Sequence, residues 1–315
     1  MLVSLLAAFL VGAQSAPLVA TPPIAVPGGA GKFDFMTFDS KDHLVMAGHP
    51  GKASLAVLDT ATNKAVDVPL GAECNCVAAD TKGKRLFAAG PGKTLVALDS
   101  TTMTKVGTLP LDGPGDCVQF DSKRGVVYVD NDDGTNLWVV DAKTLKLQGA
   151  INIKEAPEYM EIDNSTDQIY QAIKSTATVQ VIDATARKVV KEFALGTLKS
   201  PHGLALDRKT RRLFVAGKNG KLVIVDADSG NLLNTVDVLP NSDQIAYDSS
   251  LKRVYIPSEG QIQVVQIDGD GGKVIGSVPV GSDCHRVVVD RKSHDIWVAY
   301  SDSGNSYFQR FTVPQ

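Results

Sequence analysis

Short apolar runs that end in aspartate recur along the whole chain. Runs such as PHGLALD and QIAYD close at Asp39, Asp80, Asp121, Asp163, Asp207, Asp248 and Asp290, at spacings of 41, 41, 42, 44, 41 and 42 residues. A second series, Asp59, Asp99, Asp141, Asp183, Asp226 and Asp268, closes runs such as LAVLD, LWVVD and VQVID and keeps step with the first. The runs are β-branched and separated by Gly, Asp and Asn, with no sustained 3.6-residue stripe, so they predict strands joined by tight turns. A repeat of this length built from four strands predicts a radial blade, and seven repeats predict a seven-bladed β-propeller.

The fifth unit displays the blade most clearly: LALD is the innermost strand, RRLFVAG the second, KLVIVDA the third and NLLNTVDV the outer one, with turns DRKT, GKNG and DADSG between them. The seventh unit, Ser282 to Gln315, holds three strands only. The segment Leu18 to Val26 is the expected donor of the missing strand, because a ring closed by its own N-terminus leaves no unpaired edge. The repeat aspartates themselves are expected to serve the turns that follow them.

The recurring P-x-G-[LIV]-A-[LIV]-D, followed by R-[LV]-[FY]-V and a V-[IV]-D strand, resembles the YVTN-type (YncE-like) β-propeller repeat family over nearly all of the chain after its first residues. That resemblance implies the all-β propeller fold. It does not imply one activity, since it covers binding proteins as well as relatives of lactonases and lyases, and one fold hosts many chemistries.

Length alone suggests about two domains of ~150 residues, but the unbroken repeat predicts a single domain over 16–315. With 43% hydrophobic and 21% charged residues and a net charge of -3, the composition is that of an ordinary globular protein. The N-terminal MLVSLLAAFLVGAQSAP is too short to span a bilayer and reads as a signal peptide over 1–15, which predicts a periplasmic or secreted, monomeric protein with no membrane span once the signal is removed.

Candidate chemistry emerges when the repeat is used as a frame. Five residues before the inner-strand aspartates stand Asp34, Asn75, Asp116, Glu158, His202, Asp243 and His285, all polar. Three before stand only apolar residues, so the polar ring is expected at the mouth of the central tunnel. Carboxylates, an amide and imidazoles converging on one axis suit one divalent cation: Ca²⁺ or Mg²⁺ by the oxygen ligands, Zn²⁺, Mn²⁺ or Fe by the histidines. The same ring also reads as a wet entrance whose side chains are merely solvated. Beside it, Tyr159 and Arg286 are placed to hold an anionic or carbonyl-bearing ligand, or, for Arg286, to neutralise Asp243 or Asp283.

All four cysteines, Cys74, Cys76, Cys117 and Cys284, fall in this layer. They read as structural bridges, as inert buried thiols, or as a soft-metal or redox-sensitive cluster near His202 and His285. The turns between first and second strands are rich in Lys and Arg, whereas Glu73, Asp112, Glu155 and Asp283 flank the ring, so a basic face opposite an acidic one is expected. No aromatic residues interleave the basic turns, which disfavours nucleic acid. No G-x-S-x-G, Walker, H-E-x-x-H or C-x-x-C motif is present. Two functions follow from the residues: an exported binding or scaffold propeller holding a metal, a small molecule or a protein ligand in its funnel, or a metal-dependent lactonase- or lyase-like enzyme. For the enzyme, the family resemblance implies a central cation polarising a carbonyl, with His202 or His285 as general base.

Overall fold

Each inner hairpin is closed by the same local chemistry. Four residues after the inner aspartate the chain takes a left-handed turn, at His43, Lys84, Gly125, Asp167, Arg211, Lys252 and His294, with φ between 53° and 66°. An aspartate oxygen accepts the backbone N–H groups that the turn leaves free. Asp39 Oδ1 holds Lys41 N at 3.0 Å and Asp42 N at 3.2 Å, and Asp248 Oδ1 holds Ser250 N at 2.9 Å and Leu251 N at 3.1 Å. In blades one to five the second aspartate series does the same for the outer hairpins, as at Asp59 with Ala61 N and Thr62 N. There the two series keep step because they cap one kind of turn twice per blade.

The computed structural model describes residues 16–314; the proposed signal peptide, 1–15, lies outside them. The strands form seven antiparallel sheets. The inner strands are Met36–Asp39, Cys76–Asp80, Gly115–Asp121, Pro157–Asp163, Pro201–Asp207, Ala246–Asp248 and Val287–Val289, one per blade; the first six each begin a four-stranded meander and the last begins a three-stranded one. Middle strands such as Leu44–His49 and Arg212–Gly217 are almost wholly buried because neighbouring sheets pack on both of their faces, whereas outer strands such as Lys188–Ala194 are mostly exposed. The last sheet is completed from the N-terminus: Val19–Ala20 and Ile24–Val26 both pair with Asn305–Thr312. This is the closure expected from the short seventh unit. Among the described residues no helix is long and apolar enough to cross a membrane.

The second oxygen of several inner aspartates is bound by the next blade. Thr81 Oγ1 donates to Asp39 Oδ2 at 2.7 Å, Arg211 Nη1 to Asp163 Oδ2 at 2.5 Å, and Tyr247 Oη to Asp207 Oδ2 at 2.9 Å. These ties cross the blade interfaces. Burial alone would raise the Asp163 carboxyl, but the bonds from Ser165, Arg211 and Thr166 outweigh it and hold the group at about 2. A depressed carboxyl contributes stability above its unfolded value, near 3.9 in model peptides, and loses it as pH falls through the folded one. Asp163→Asn is therefore expected to lower stability by on the order of 2 kcal/mol at pH 7, with the deficit shrinking as pH approaches 2. Chemical denaturation at the two pH values checks this; a deficit of equal size at both contradicts it.

Candidate functional site

The tunnel entrance departs from plain strand alternation. In the inner strands of blades three, four and five the register slips between Gly115 and Val118, Pro157 and Met160, and Pro201 and Gly203. A bulge of this kind lets consecutive side chains both face the axis. Glu158 lines a cavity at the mouth, while its neighbour Tyr159 lines a second cavity farther down. The backbone groups released by the bulges are taken up by polar residues of the second strands. Cys117 N donates to Asp130 Oδ1 at 2.7 Å, and Glu158 O accepts from Gln171 Nε2 at 2.5 Å. Asp130 and Gln171 are fully buried, and burial pushes the Asp130 carboxyl well up.

Between the two cavities lies a plug. Phe35 of blade one meets Tyr159 of blade four across the axis, with ring centroids 5.4 Å apart. Gln244 of blade six spans the remaining gap: its Oε1 accepts from Met36 N at 2.9 Å, and its Nε2 donates to Met36 O at 2.8 Å and Tyr159 Oη at 3.4 Å. Tyr159 thus belongs to the plug and not to the mouth.

The mouth cavity, about 180 Å³, is lined by six of the seven ring residues, Asp34, Asn75, Asp116, Glu158, His202 and Asp243. His285 is not among its lining residues. The backbone of blade seven explains this, because His285 O accepts the N–H of both Asp243 and Gln244 at 3.1 Å and its Nδ1 lies 2.9 Å from Asn241 O. The blade-seven strand begins only at Val287, without a bulge, and Arg286 takes the axial position instead. Arg286 is 1% exposed and lies 2.7 Å from Asp243 Oδ2 and 3.6 Å from Asp34 Oδ1. Of the two readings of Arg286, its geometry matches neutralisation of Asp243.

Four further residues enter the site from outside the ring: Lys32, Asp132, Lys174 and Lys218. The last three each stand eleven residues after an inner aspartate, directly beyond the second strand of blades three, four and five. The same repeat frame read at that offset would have found them. They change the electrostatics, because the mouth carries its own cations. Lys174 pairs with Glu158 and lies 3.4 Å from Asp132, and Lys218 pairs with Asp243. The expectation of an acidic mouth is corrected by these cations, and the basic rim is partly neutralised. At the rim, Lys84, Lys123, Arg124, Arg208, Arg211 and Arg212 are paired with carboxylates.

One acidic group stands out within the mouth. Asp116, Asp132 and Glu158 each offer an oxygen, and these oxygens all lie within 4.8 Å of one another. Ca²⁺–oxygen distances are about 2.3–2.6 Å, so oxygens at that separation can share one ion. Burial pushes Asp116 well up, with Glu158 and Asp34 adding to the effect, although Asn75 Nδ2 donates to its Oδ1 at 2.8 Å. Burial likewise lifts Glu158 to about 7, against the pull of Lys174. Lys174 is shifted up by the same carboxylate, which favours an ionised Glu158. Burial outweighs it, since Lys174 is shared with Asp132 and reaches Glu158 on one oxygen only, leaving the rest of a carboxylate that is 5% exposed without compensation.

His202 faces this group with Nε2 3.4 Å from Glu158 Oε1, and its Nδ1 lies 2.9 Å from Ser200 O. The carbonyl can only accept, so Nδ1 carries the proton and Nε2 presents a lone pair. Burial and the Lys218 ammonium lower His202 to about 4, against the Ser200 carbonyl. The imidazole is therefore neutral at physiological pH, whereas Glu158 titrates near neutrality.

All four cysteines are free and buried. Cys74 Sγ bonds Cys76 O at 3.4 Å and Cys76 Sγ bonds Val118 O at 3.5 Å, and burial raises Cys74, Cys117 and Cys284. Such thiols are poor nucleophiles. Among the described residues, the one group with metal-binding spacing contains neither cysteine nor histidine.

Comparison with known proteins agrees with the fold. No protein-family profile matches the chain. The chain is distantly homologous to YncE proteins: 23% identical over 168 residues to that of Escherichia coli O157:H7 and 20% over 194 residues to that of Salmonella typhi. The match spans about half the length of these relatives, 47% and 54%, and 48% and 56% of this chain. Among solved structures, Kuenenia stuttgartiensis hydrazine synthase superposes with a TM-score of 0.80 at 13% identity, covering 98% of this chain and all of that one. The RRP9 WD40 repeats give 0.81 at 10%, covering 96% and 98%. Likeness at such identity speaks for the fold alone.

Proposed function

We propose that this protein is an exported binding propeller whose tunnel mouth holds one divalent cation on Asp116, Asp132 and Glu158. The observation that carries the reading is the approach of three carboxylate oxygens to within 4.8 Å of one another in a largely buried cleft. Like charges brought so close and desolvated favour a cation over their separate ionisation. The oxygen-only donor set favours Ca²⁺ or Mg²⁺ over Zn²⁺. The cation would displace the Lys174 ammonium, which is long enough to swing toward solvent. Export rests on the N-terminal MLVSLLAAFLVGAQSAP.

A small ligand in the funnel would meet the cation on one side and Arg286, Lys218 and Lys32 on the other. A second reading, hydrolysis of a lactone or ester at that cation, is favoured by one specific observation: the neutral His202 presents Nε2 beside the acidic group, as a general base requires. Titration calorimetry of the purified chain with Ca²⁺, Mg²⁺ and Zn²⁺ tests the first reading. One site is expected in the wild type, and at least about tenfold weaker binding in Asp116→Asn. No saturable binding of any of the three ions overturns it. A lactone and ester screen with and without chelator decides the second.

A further inference from the structure

The other end of the axis is built for a different ligand. Below the Phe35–Tyr159–Gln244 plug lies a cavity of about 610 Å³, within the roughly 300–1,000 Å³ typical of small-molecule sites. Its walls are mixed: Met36, Phe38, Ala205, Ile245, Val287 and Val289 form an apolar side, facing polar groups that include Thr37, Gln119 and Glu161. At Tyr247 and Arg291 it meets a second cavity, about 700 Å³, that runs between blades five and six along the same face and is lined in part by Lys209 and Lys252.

Charge at this end is one-sided. The neighbouring Arg208, Arg211 and Arg212 are all paired with carboxylates. Lys209, Lys252, Arg291 and Lys292 are exposed and, among the described residues, in no ion pair. The nearby carboxylates are already engaged. Asp207 accepts from Lys209 N, Thr210 and Tyr247, and Asp290 from Lys292 N and Ser293. Glu161, which lines the cavity, lies 3.2 Å from Arg208, and burial raises it against the pull of Arg208 and Arg291. Arg291 stands at the junction of the two cavities, where its Nε donates to Tyr247 O at 3.3 Å and, among the described residues, its terminal nitrogens have no hydrogen-bond partner.

We propose that this end of the tunnel is a second binding site, for an amphipathic organic monoanion whose apolar body enters the tunnel and whose anionic head rests on Arg291 and Lys292. Apolar walls supply affinity in proportion to the surface they cover, and a guanidinium at the opening orients the head. The proposal is independent of the cation at the mouth, from which the plug separates it.

The test is a fluorescence titration of the full chain with anilinonaphthalene sulfonate, followed by competition with decanoate and with decanol. One saturable site is expected, emptied by decanoate far more effectively than by decanol. The double variant Arg291→Gln with Lys292→Gln, both exposed and so expected to melt as the wild type does, should bind the probe at least about tenfold more weakly, the cost of charged hydrogen bonds to an anion. Glu158→Gln at the mouth should bind it unchanged. Equal displacement by decanol, unchanged affinity in the double variant, or loss of binding in Glu158→Gln each overturns the proposal. So does displacement by oligothymidylate in preference to decanoate, which would point to a nucleic-acid surface instead.

Discussion

Removing Leu18 to Val26 is expected to lower the melting temperature by about 10 °C or more and to make the chain self-associate. The segment contributes two short ladders to the last sheet, Val19 opposite Thr312 and Ala20 opposite Phe311, then Ile24 opposite Phe308 and Val26 opposite Ser306. Leu18 and Val26 are 2% and 3% exposed, and fully burying such side chains is worth about 1.5–3 kcal/mol each. With the ladder bonds the loss is on the order of 5 kcal/mol, a large part of a typical domain's stability of about 5–15 kcal/mol. At about 2 °C or more per kcal/mol for a chain of this size, that sets the expected shift. The uncovered Asn305–Thr312 strand would offer a free edge next to Phe308 and Phe311, which are wholly buried in the intact ring. Calorimetry and light scattering on the truncated chain measure both effects. An unchanged midpoint in a monodisperse monomer would mean that the ring closes without this segment.

How far the sequence could be read depends on which interactions are local. The blades were legible because each hairpin carries its own instruction: an aspartate that caps the turn amides and a left-handed residue four positions later, as at Asp207 and Arg211. The missing strand of the seventh blade followed from counting. The ring at the mouth was legible as positions, since six of its seven members line one cavity. What escaped was set by contacts between blades. His285 leaves the cavity because its carbonyl serves blade six, and no pattern within blade seven announces that. The plug joins residues 208 positions apart, Met36 and Gln244. Two signals were present but unread. Polar residues interrupt the apolar second strands at Asp130 and Gln171, and the position after those strands carries Asp132, Lys174 and Lys218. Without them the mouth looked acidic, and its true mixture of carboxylates and ammonium groups stayed hidden.

Glu158→Gln is expected to change both the stability and the ion affinity of the protein, in opposite directions. In the metal-free wild type the folded carboxyl sits at about 7 because it is buried, despite Lys174, whereas in the unfolded chain a glutamate titrates near 4.3. Between those values the folded state binds the extra proton, so stability falls as pH rises from about 4.3 to 7, by on the order of 3 kcal/mol for the full interval. The metal-free wild type should therefore be less stable at pH 8 than at pH 5, and Glu158→Gln should reduce that slope, leaving the part contributed by the raised Asp116 and Asp130 carboxyls. Cation binding should run the other way. A carboxyl that holds a proton below pH 7 must release it to become a ligand, so Ca²⁺ affinity should fall towards tenfold per pH unit as the solution is acidified below that value. His202, already neutral down to about 4, cannot produce a transition there, and His202→Ala should keep the same midpoint. In Glu158→Gln the affinity should be lower at pH 8 and fall less steeply on acidification, the remaining dependence coming from Asp116. Denaturation at the two pH values with chelator present, and calorimetry across the range, measure the two effects on one pair of proteins. A metal-free wild type whose stability is level from pH 5 to 8 and matches the variant would place the Glu158 carboxyl in an ordinary solvated environment. That result would remove the electrostatic reason for a cation at the mouth.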